Sequence, residues 1–426
     1  MQHSCFVGRK RVADDDTTTQ QDDVPQDAPP PRRRFRISSR LSLFALVLLA
    51  IEFLDELAFG VREAAWPLIR DDLGLDYTQV GILLGIPNVI AGFIEPAIGI
   101  LGDVWRRKVL VIGGGVFFGL SLLATALSGD FWLLLLSFIV FSPASGAFVS
   151  LSQATLMDSE PARHEQNMAR WAFAGSLGVV AGTLALSAVA ATGPTVGWRG
   201  LFLFMAGLTG ALVVIAWRFR FPRGHPEHEE SPGFMRGLLN ALGALRRGEV
   251  LRWLTLLTFS DLMLDILLGF LTLYMVDVVR TTPELAALGV TVWMGVGLLG
   301  DFLLIPLIER VSGLVYLRVS ALLELVLFPA FLLAPEVWMK FVLLGLLGIF
   351  NAGWYSILKG RLYSSMPGQS GSVMVVSNVF GIVGSLVPLA IGVLAEQVGL
   401  GAAMWFMLLG PVALLVGLPG RLGAKQ

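Results

Sequence analysis

Carboxylic acids interrupt two long apolar stretches of this sequence, where they are well suited to carry protons or bind cations. Asp55 and Glu56 lie in the first stretch, and Asp261 and Asp265 lie in the second. An ionised acid at the centre of a bilayer costs roughly 2.5–3.5 kcal/mol, so each acid must face a cavity, have a partner or be protonated. The i, i+4 spacing of Asp261 and Asp265 predicts that they share one helix face. Because burial and like charge both favour a protonated carboxyl, the set predicts a proton or cation relay. Hydrogen bonds between helices are the alternative role.

Polar and aromatic residues in two further apolar stretches are candidates for a substrate pocket. Gln153 follows Ser150 and Ser152 in one stretch, and Asn351 and Tyr355 form an i, i+4 pair in the other. Substrate pockets have mostly apolar walls and a few polar groups, which this set matches; simple helix packing is the alternative. The candidates for substrate or ion binding are therefore Asp55, Glu56, Gln153, Asp261, Asp265, Asn351 and Tyr355.

The apolar stretches that carry these residues predict membrane-spanning helices. Of the 426 residues, 55% are hydrophobic and 15% are charged, whereas soluble domains carry about 25% charged residues. A spanning helix needs about 20 mostly apolar residues. We predict twelve spans, at about 41–62, 78–101, 109–127, 131–156, 168–191, 200–217, 251–277, 288–308, 314–334, 338–358, 370–396 and 401–419. The fold class predicted is an all-α membrane protein built from two six-helix bundles.

Composition divides the chain into five segments. We predict a disordered cytoplasmic tail at 1–40, an N-terminal bundle at 41–217, a cytoplasmic linker at 218–250, a C-terminal bundle at 251–419 and a short tail at 420–426. With the amino end in the cytoplasm, 26 of the 31 Lys and Arg residues fall on that side. Positive charge favours the cytoplasmic side, so both termini are predicted to be cytoplasmic in a multi-pass protein of the plasma (inner) membrane.

A short motif between the second and third spans carries a family resemblance. Residues 99–108 resemble the cytoplasmic loop signature of the major facilitator superfamily, with matches at Gly99, Leu101, Asp103, Arg107 and Lys108. The resemblance implies a transporter of that family, with helices one, four, seven and ten around a central cavity. Residues 71–81 also resemble the first outer loop of drug-efflux members, including the fosmidomycin-resistance type.

The chain departs from the patterns of proton-coupled relatives in two places. The fourth span has no Arg between Phe138 and Leu156, and Gly178 and Gly182 of the fifth span lack the Pro of the antiporter signature. Both departures count against proton-driven antiport without excluding it.

Charged residues at the cytoplasmic ends of helices predict a conformational gate. Glu95 and Asp301 occupy corresponding positions in the two halves, and we expect each to pair with basic loop residues. A carboxylate such as Asp103 at a helix end can pair with Arg and latch one conformation. The predicted gate comprises Gly99, Asp103, Arg107, Lys108, Glu95, Asp301, Glu309 and Arg310. Glu324, in the ninth span, has no predicted partner.

Several functions are excluded or disfavoured by what the sequence lacks. Cys5 is the only cysteine, there are four histidines, and no phosphate-binding loop or hydrolase motif occurs. We therefore expect no enzyme, no cofactor, no metal and no nucleic-acid partner. The expected partners are the lipid bilayer, a small-molecule substrate and protons, and we expect a monomer. The predicted function is secondary active transport of a small solute by alternating access, and proton-coupled efflux of a small amphipathic compound is the form that the loop resemblance favours. The alternatives are uptake or symport of a small metabolite, a membrane-embedded lipid-handling enzyme, and a non-transporting receptor.

Overall fold

The computed structural model describes residues 42–104, 107–159, 164–190, 194–221, 243, 245–308, 310–366 and 370–419. Both predicted tails and most of the predicted linker lie outside these residues. The described residues form helices and turns without any strand, which confirms the predicted all-α class.

Twelve helical segments follow one another along the described chain. They are α1 (Leu43–Leu73), α2 (Tyr77–Val104), α3 (Arg107–Leu127), α4 (Phe131–Ser159), α5 (His164–Ala190), α6 (Pro194–Trp217), α7 (Gly248–Asp277), α8 (Pro283–Ile308), α9 (Gly313–Leu333), α10 (Val337–Ser364), α11 (Ser370–Gly384, continued by Val387–Val398) and α12 (Leu400–Gly417). Eleven of these segments are long and apolar enough to cross a membrane. The remaining one, α1, has 31 residues but carries Glu52, Asp55 and Glu56 within its apolar part.

The first helix is longer than the sequence predicted. Ser42 caps its start by accepting a hydrogen bond from the backbone N–H of Ala45 at 3.1 Å. The helix ends only where Gly74 adopts the left-handed conformation, with φ of 62°. The predicted end at residue 62 was therefore wrong: Arg62 and Arg70, expected outside the membrane segment, both lie within the helix.

The segments form two six-helix bundles, with α1–α6 in the first and α7–α12 in the second. We call the end where α1 begins the amino-terminal face and the end where α1 stops the distal face. Large apolar side chains such as Phe117, Trp132 and Val326 are exposed on the outside of the molecule, as expected for a surface in contact with lipid.

Small residues allow the two bundles to approach each other closely. A Cβ atom on Gly81 of α2 would lie 2.8 Å from the carbonyl oxygen of Pro388 in α11, and one on Gly85 would overlap the carbonyl oxygen of Ser385. On the other side of the molecule, the hydroxyls of Thr183 in α5 and Thr291 in α8 are 2.7 Å apart. Close contacts of this kind are typical of helix pairs inside membranes.

Candidate functional site

Helix α7 is interrupted where its two acids lie. An α-helix ends at Ser260, a 3₁₀ turn covers Asp261–Met263, and a second α-helix starts at Asp265. Between them Leu264 has φ of −108° and ψ of −100°. The prediction that Asp261 and Asp265 share a face of one continuous helix was therefore wrong. The two carboxyls still interact electrostatically across the break.

Helix α10 is interrupted at the same level. Its first part ends at Asn351, and Gly353 adopts a left-handed conformation, with φ of 73°, before the second part begins at Trp354. The amide nitrogen Nδ2 of Asn351 donates to the carbonyl oxygen of Met263 at 3.1 Å, so it satisfies a group at the break in α7. The two interruptions thus support each other. The i, i+4 argument for Asn351 and Tyr355 was wrong because the helix is not continuous, although both residues line one cavity.

That cavity lies between the two bundles and has a volume of about 460 Å³. The first bundle contributes Glu52, Glu56, Ala172, Gly175, Ser176, Val179 and Val180; the second contributes Leu264, Trp293, Met294, Gly297, Leu298, Asp301, Gly348, Asn351, Ala352, Gly353, Tyr355 and Ser356. The lining residues of α1 come from the helix half nearer the amino-terminal face. Those of α5, α8 and α10 lie around the middle of each helix, and more of them fall on the amino-terminal side of the midpoint than on the distal side. The cavity therefore extends from the middle of the bundle toward the amino-terminal face.

The acids of α1 lie at this level and face different neighbours. Asp55 accepts a hydrogen bond from the Ser145 hydroxyl of α4 at 2.8 Å. Glu52 is 7% exposed and lies on the cavity wall with Glu56. Both glutamates pack against Gly175 of α5, whose missing side chain leaves room for them.

The predicted acids of the two bundles come together across the interior. Glu56 interacts electrostatically with Asp55 and Asp265. Asp265 is exposed and also interacts with Arg62 and Glu63 of α1, so it faces the space between the bundles and not the lipid. Gln153, also predicted, is half-buried in α4.

Arg62 and Glu63 were not predicted as site residues. The Arg62 guanidinium lies 5.7 Å from the ring centre of Phe138 in α4, and its Nε donates to Glu63 at 2.9 Å. The indole of Trp66 donates to the second oxygen of Glu63 at 3.1 Å. An arginine therefore does contact the fourth helix, but α1 supplies it. The hydropathy pattern did not identify Arg62 as an interior residue, because an arginine at the edge of an apolar run is normally taken as the end of the membrane span.

Two of the predicted gate acids, Asp301 and Glu95, contact glycines in neighbouring helices. Asp301 of α8 accepts the backbone N–H of Gly353 at 2.9 Å, which caps the second part of α10. Glu95 of α2 packs on Gly146, where a five-residue π-turn begins in α4. Among the described residues neither acid is seen to pair with a basic side chain, and several of the basic loop residues predicted as partners lie outside the described residues. Each acid lies against a helix irregularity at corresponding places in the two bundles.

The basic residues of the loop motif bind within the first bundle. Arg107 is buried and forms an ion pair with Asp158 of α4. Lys108 donates to the carbonyl oxygen of Trp217 at the end of α6, at 2.6 Å. For Gly99 and Asp103 the structure describes only helical backbone, Glu309 lies outside the described residues, and Arg310 is exposed. The contacts described here for Arg107 and Lys108 lie within the first bundle.

Among the described residues, the polar contacts between the bundles lie in the distal half. Arg70 of α1 forms a two-pronged ion pair with Asp277 of α7, with one nitrogen–oxygen distance of 3.0 Å. The Tyr77 hydroxyl donates to Asp277 at 2.8 Å, and the Tyr77 backbone N–H donates to Glu396 of α11 at 3.1 Å. We call Arg70, Tyr77, Asp277 and Glu396 the distal latch. It joins the two bundles at the end of the molecule opposite the face toward which the cavity extends.

The described residues include no group of three or more His, Cys, Asp or Glu side chains placed to hold a metal ion. Glu324 is completely buried in α9, and neither of its carboxylate oxygens has a hydrogen-bond partner among the described residues. It lies apart from the cavity lining.

Comparisons with known proteins agree with this architecture. Residues 48–300, more than half of the chain, match the sequence model described as Major Facilitator Superfamily. A stretch of 157 residues is 29% identical to the Transcription regulatory protein OpdE of Pseudomonas aeruginosa, and the match covers 35% of this chain and 37% of that protein.

Solved structures show the same fold at low sequence identity. A bacterial homologue of the human lysosomal transporter Spinster, in an inward-facing and occupied conformation, has a TM-score of 0.72 and 15% identity, over 89% of this chain and 96% of its own. The nucleoside transporter NupG has a TM-score of 0.70 and 15% identity, over 88% of this chain and 97% of its own.

Proposed function

Because the chain belongs to the Major Facilitator Superfamily, we propose that it is a secondary active transporter that moves a small solute by alternating access. The observation that carries the proposal is the cavity between the bundles, which extends from their middle toward the amino-terminal face, together with the distal latch, which joins the bundles at the other end. A cavity bounded in this way can expose its contents to the opposite side only if the bundles rock relative to each other.

The amino-terminal face is the cytoplasmic face in this proposal. The support is the distribution of Lys and Arg, which places 26 of 31 on that side of the predicted spans. Arg62, counted on the other side, is an interior residue in the structure, so the asymmetry increases. The conformation described is then the cytoplasm-facing one.

Protons are the proposed coupling ion and efflux is the proposed direction. Glu56 and Asp265 carry like charges from different bundles and interact electrostatically, so binding of a proton by either carboxyl relieves the repulsion between them. The resemblance of residues 71–81 to drug-efflux proteins supports the direction. We expect Asp265→Asn to abolish pH-dependent flux in proteoliposomes while the protein remains folded. Full pH-dependent flux in both Asp265→Asn and Asp261→Asn would contradict the relay.

Alternating access itself can be tested without knowing the substrate. Cys5 is the only cysteine, so Cys5→Ser removes every thiol with one change. In that background, Ser356→Cys places a thiol on the cavity wall, and Ser364→Cys places one at the exposed end of α10 near the amino-terminal face. We expect a membrane-impermeant maleimide to modify Ser356→Cys from both sides of the membrane and Ser364→Cys from the amino-terminal side alone.

Modification of both variants from one side alone would refute alternating access. That result would favour a receptor without flux, which is the second candidate function. The local similarity to a protein named as a transcription regulator favours that reading, although the match covers 37% of that protein. A membrane enzyme has less support, since the family and the similar structures are transporters.

A further inference from the structure

The charged side chains on the described cavity wall are all carboxylic acids, and the wall also includes the hydroxyl-bearing residues Ser176, Tyr355 and Ser356. Glu52 and Glu56 present carboxylates from α1, and Asp301 presents one from α8. No Lys or Arg belongs to the described lining of the cavity. A positive charge on the ligand is therefore favoured over a negative one, and N–H donors on the ligand can pair with the carboxylates.

Asn351 provides an independent sign of a missing donor. This side chain is 5% exposed and belongs to the cavity lining. Its Nδ2 donates to the Met263 carbonyl oxygen, which fixes the orientation of the amide, because the opposite orientation would place two oxygens together. Its Oδ1 has no hydrogen-bond partner among the described residues. Buried acceptors are almost always paired in native proteins, so this oxygen indicates a donor that arrives with a ligand.

The charges around the cavity strengthen the preference for a cation. Asp55 and Asp265 add negative charge beside Glu56. The two nearby cations are already engaged: Arg62 pairs with Glu63, and Lys359 donates to the Ser377 hydroxyl at 2.8 Å. The carboxyls around the cavity outnumber these two cations, so the space repels an anion and attracts a cation.

The remaining wall is apolar and aromatic. Trp293 and Met294 of α8 and Leu264 of α7 line the cavity, and Tyr355 of α10 is 54% exposed there. Aromatic faces attract cations and also pack against apolar groups. A volume of about 460 Å³ is large enough for a compact organic molecule and larger than a metal ion requires.

We propose that the cavity binds an organic ammonium ion that carries N–H donors and one apolar group. The ammonium group binds the carboxylates of Glu52 and Glu56 and donates to Asn351 Oδ1, and the apolar group lies against Trp293 and Tyr355. The inference rests on the proposed transport function. It also gives that function a coupling principle: a carboxylate of this site cannot hold a proton and the ammonium ion together, so the two exchange.

The test compares three probes that share one apolar group. Phenylbutylammonium has a charged group with N–H donors, phenylbutyltrimethylammonium has the charge without donors, and phenylbutyrate has the opposite charge. Titration calorimetry on the purified full chain measures their affinities. We expect phenylbutylammonium to bind at least about tenfold more tightly than either of the others, the effect of one charge-assisted hydrogen bond.

Matched variants locate the binding. Glu56→Gln should weaken phenylbutylammonium binding about tenfold or more at an unchanged unfolding midpoint. Glu95→Gln is the control, because this acid lies against Gly146 and is not part of the described cavity lining. Equal or tighter binding of phenylbutyrate, or equal losses in the two variants, would overturn the proposal.

This outcome is separable from the test of transport. If Ser356→Cys is modified from both sides but phenylbutylammonium binds no more tightly than the other two probes, the transport function is supported and the cation site is refuted. If the probe binds as expected but the cavity opens on one side alone, the binding site stands and the transport function falls.

Discussion

The distal latch is the feature of this structure whose removal should most directly change the balance of conformations. Asp277 accepts two hydrogen bonds from Arg70 and one from the Tyr77 hydroxyl, and all three join the first bundle to the second. The side chains of Arg70 and Asp277 are 19% and 17% exposed, so solvent screens the pair only in part. Asp277→Ala removes the shared acceptor and leaves a half-buried guanidinium without its partner.

The expected shift between conformations depends on the free energy that the contact between Arg70 and Asp277 contributes to the distal-closed state. Hydrogen bonds to charged groups contribute about 1.5–3 kcal/mol. The contact holds only while the distal face is closed, so its loss should favour the distal-open state by roughly 10- to 150-fold. Arg70 also contacts Asp71 at 3.2 Å, which offers it a second partner and places the expected shift toward the lower end.

Distances between spin labels can measure this shift. In the Cys5→Ser background, Gly129→Cys and Glu336→Cys place labels at exposed distal positions on the two bundles. A second pair, Ser159→Cys with Ser364→Cys, reports on the amino-terminal face. We expect Asp277→Ala to lengthen the distal distance and shorten the amino-terminal one in the same fraction of molecules.

The control is Asp71→Asn, which removes an acid next to Arg70 without cutting any contact between the bundles. Exposed ion pairs contribute about 0–1 kcal/mol, so both distance distributions should stay close to those of the parent. If Asp277→Ala leaves the distal distance unchanged, or if Asp71→Asn shifts it equally, the latch does not hold the bundles together.

Three further predictions concern residues that the sequence alone did not explain. Gly353→Ala should destabilise the protein by at least about 1–3 kcal/mol, because φ there is positive and the added Cβ would overlap Leu304. Gly360→Ala, in the same helix with open space around it, should be neutral or stabilising in the same thermal unfolding assay. Arg62→Met should lower the unfolding midpoint by an amount equivalent to about 3–5 kcal/mol, because it leaves buried Glu63 without its cation. Arg62→Lys should lose less; equal midpoints for all three proteins would show that the pair is not structural. Glu324→Leu should raise the midpoint, since a buried polar group without a partner costs about 1–3 kcal/mol; a clear fall would reveal a partner for this carboxyl.

The number of helices and the chemical character of the interior could be predicted from the sequence, but the helix geometry could not. Apolar runs of sufficient length gave the spans and the fold class, since a bilayer permits few other solutions. The sequence does not reveal the interruption of α7 at Leu264, because neither Gly nor Pro occurs within residues 260–268 and the surrounding residues favour a helix. Gly353 did offer a signal in α10, but glycine is too common in this chain for one occurrence to locate a break.

The two gate acids illustrate why contacts were harder to predict than positions. Glu95 and Asp301 were predicted to occupy corresponding positions, and pairing with basic loops was the simplest role for acids near helix ends. Among the described residues, Asp301 binds a backbone N–H and Glu95 packs against a glycine. A sequence pattern of charges cannot predict either contact, because neither partner is a charged side chain. Arg62 shows the reverse case: its charge was obvious, but its place inside α1 depends on Glu63 and on aromatic rings from another helix.

These corrections change how the site should couple to movement of the bundles. If Asp301 had formed a surface ion pair, its loss would disturb a gate and leave the cavity intact. Because it caps the second part of α10 at Gly353, a shift of α8 must instead move the α10 break, and the break holds Asn351 against the Met263 carbonyl of α7. A ligand bound at Asn351 and Glu56 would therefore contact both bundles at the point where the helices of the second bundle are least regular. The free energy of ligand binding at this place can therefore favour the rocking motion of the two bundles. The distal latch opposes that motion until the contacts of Asp277 with Arg70 and Tyr77 break.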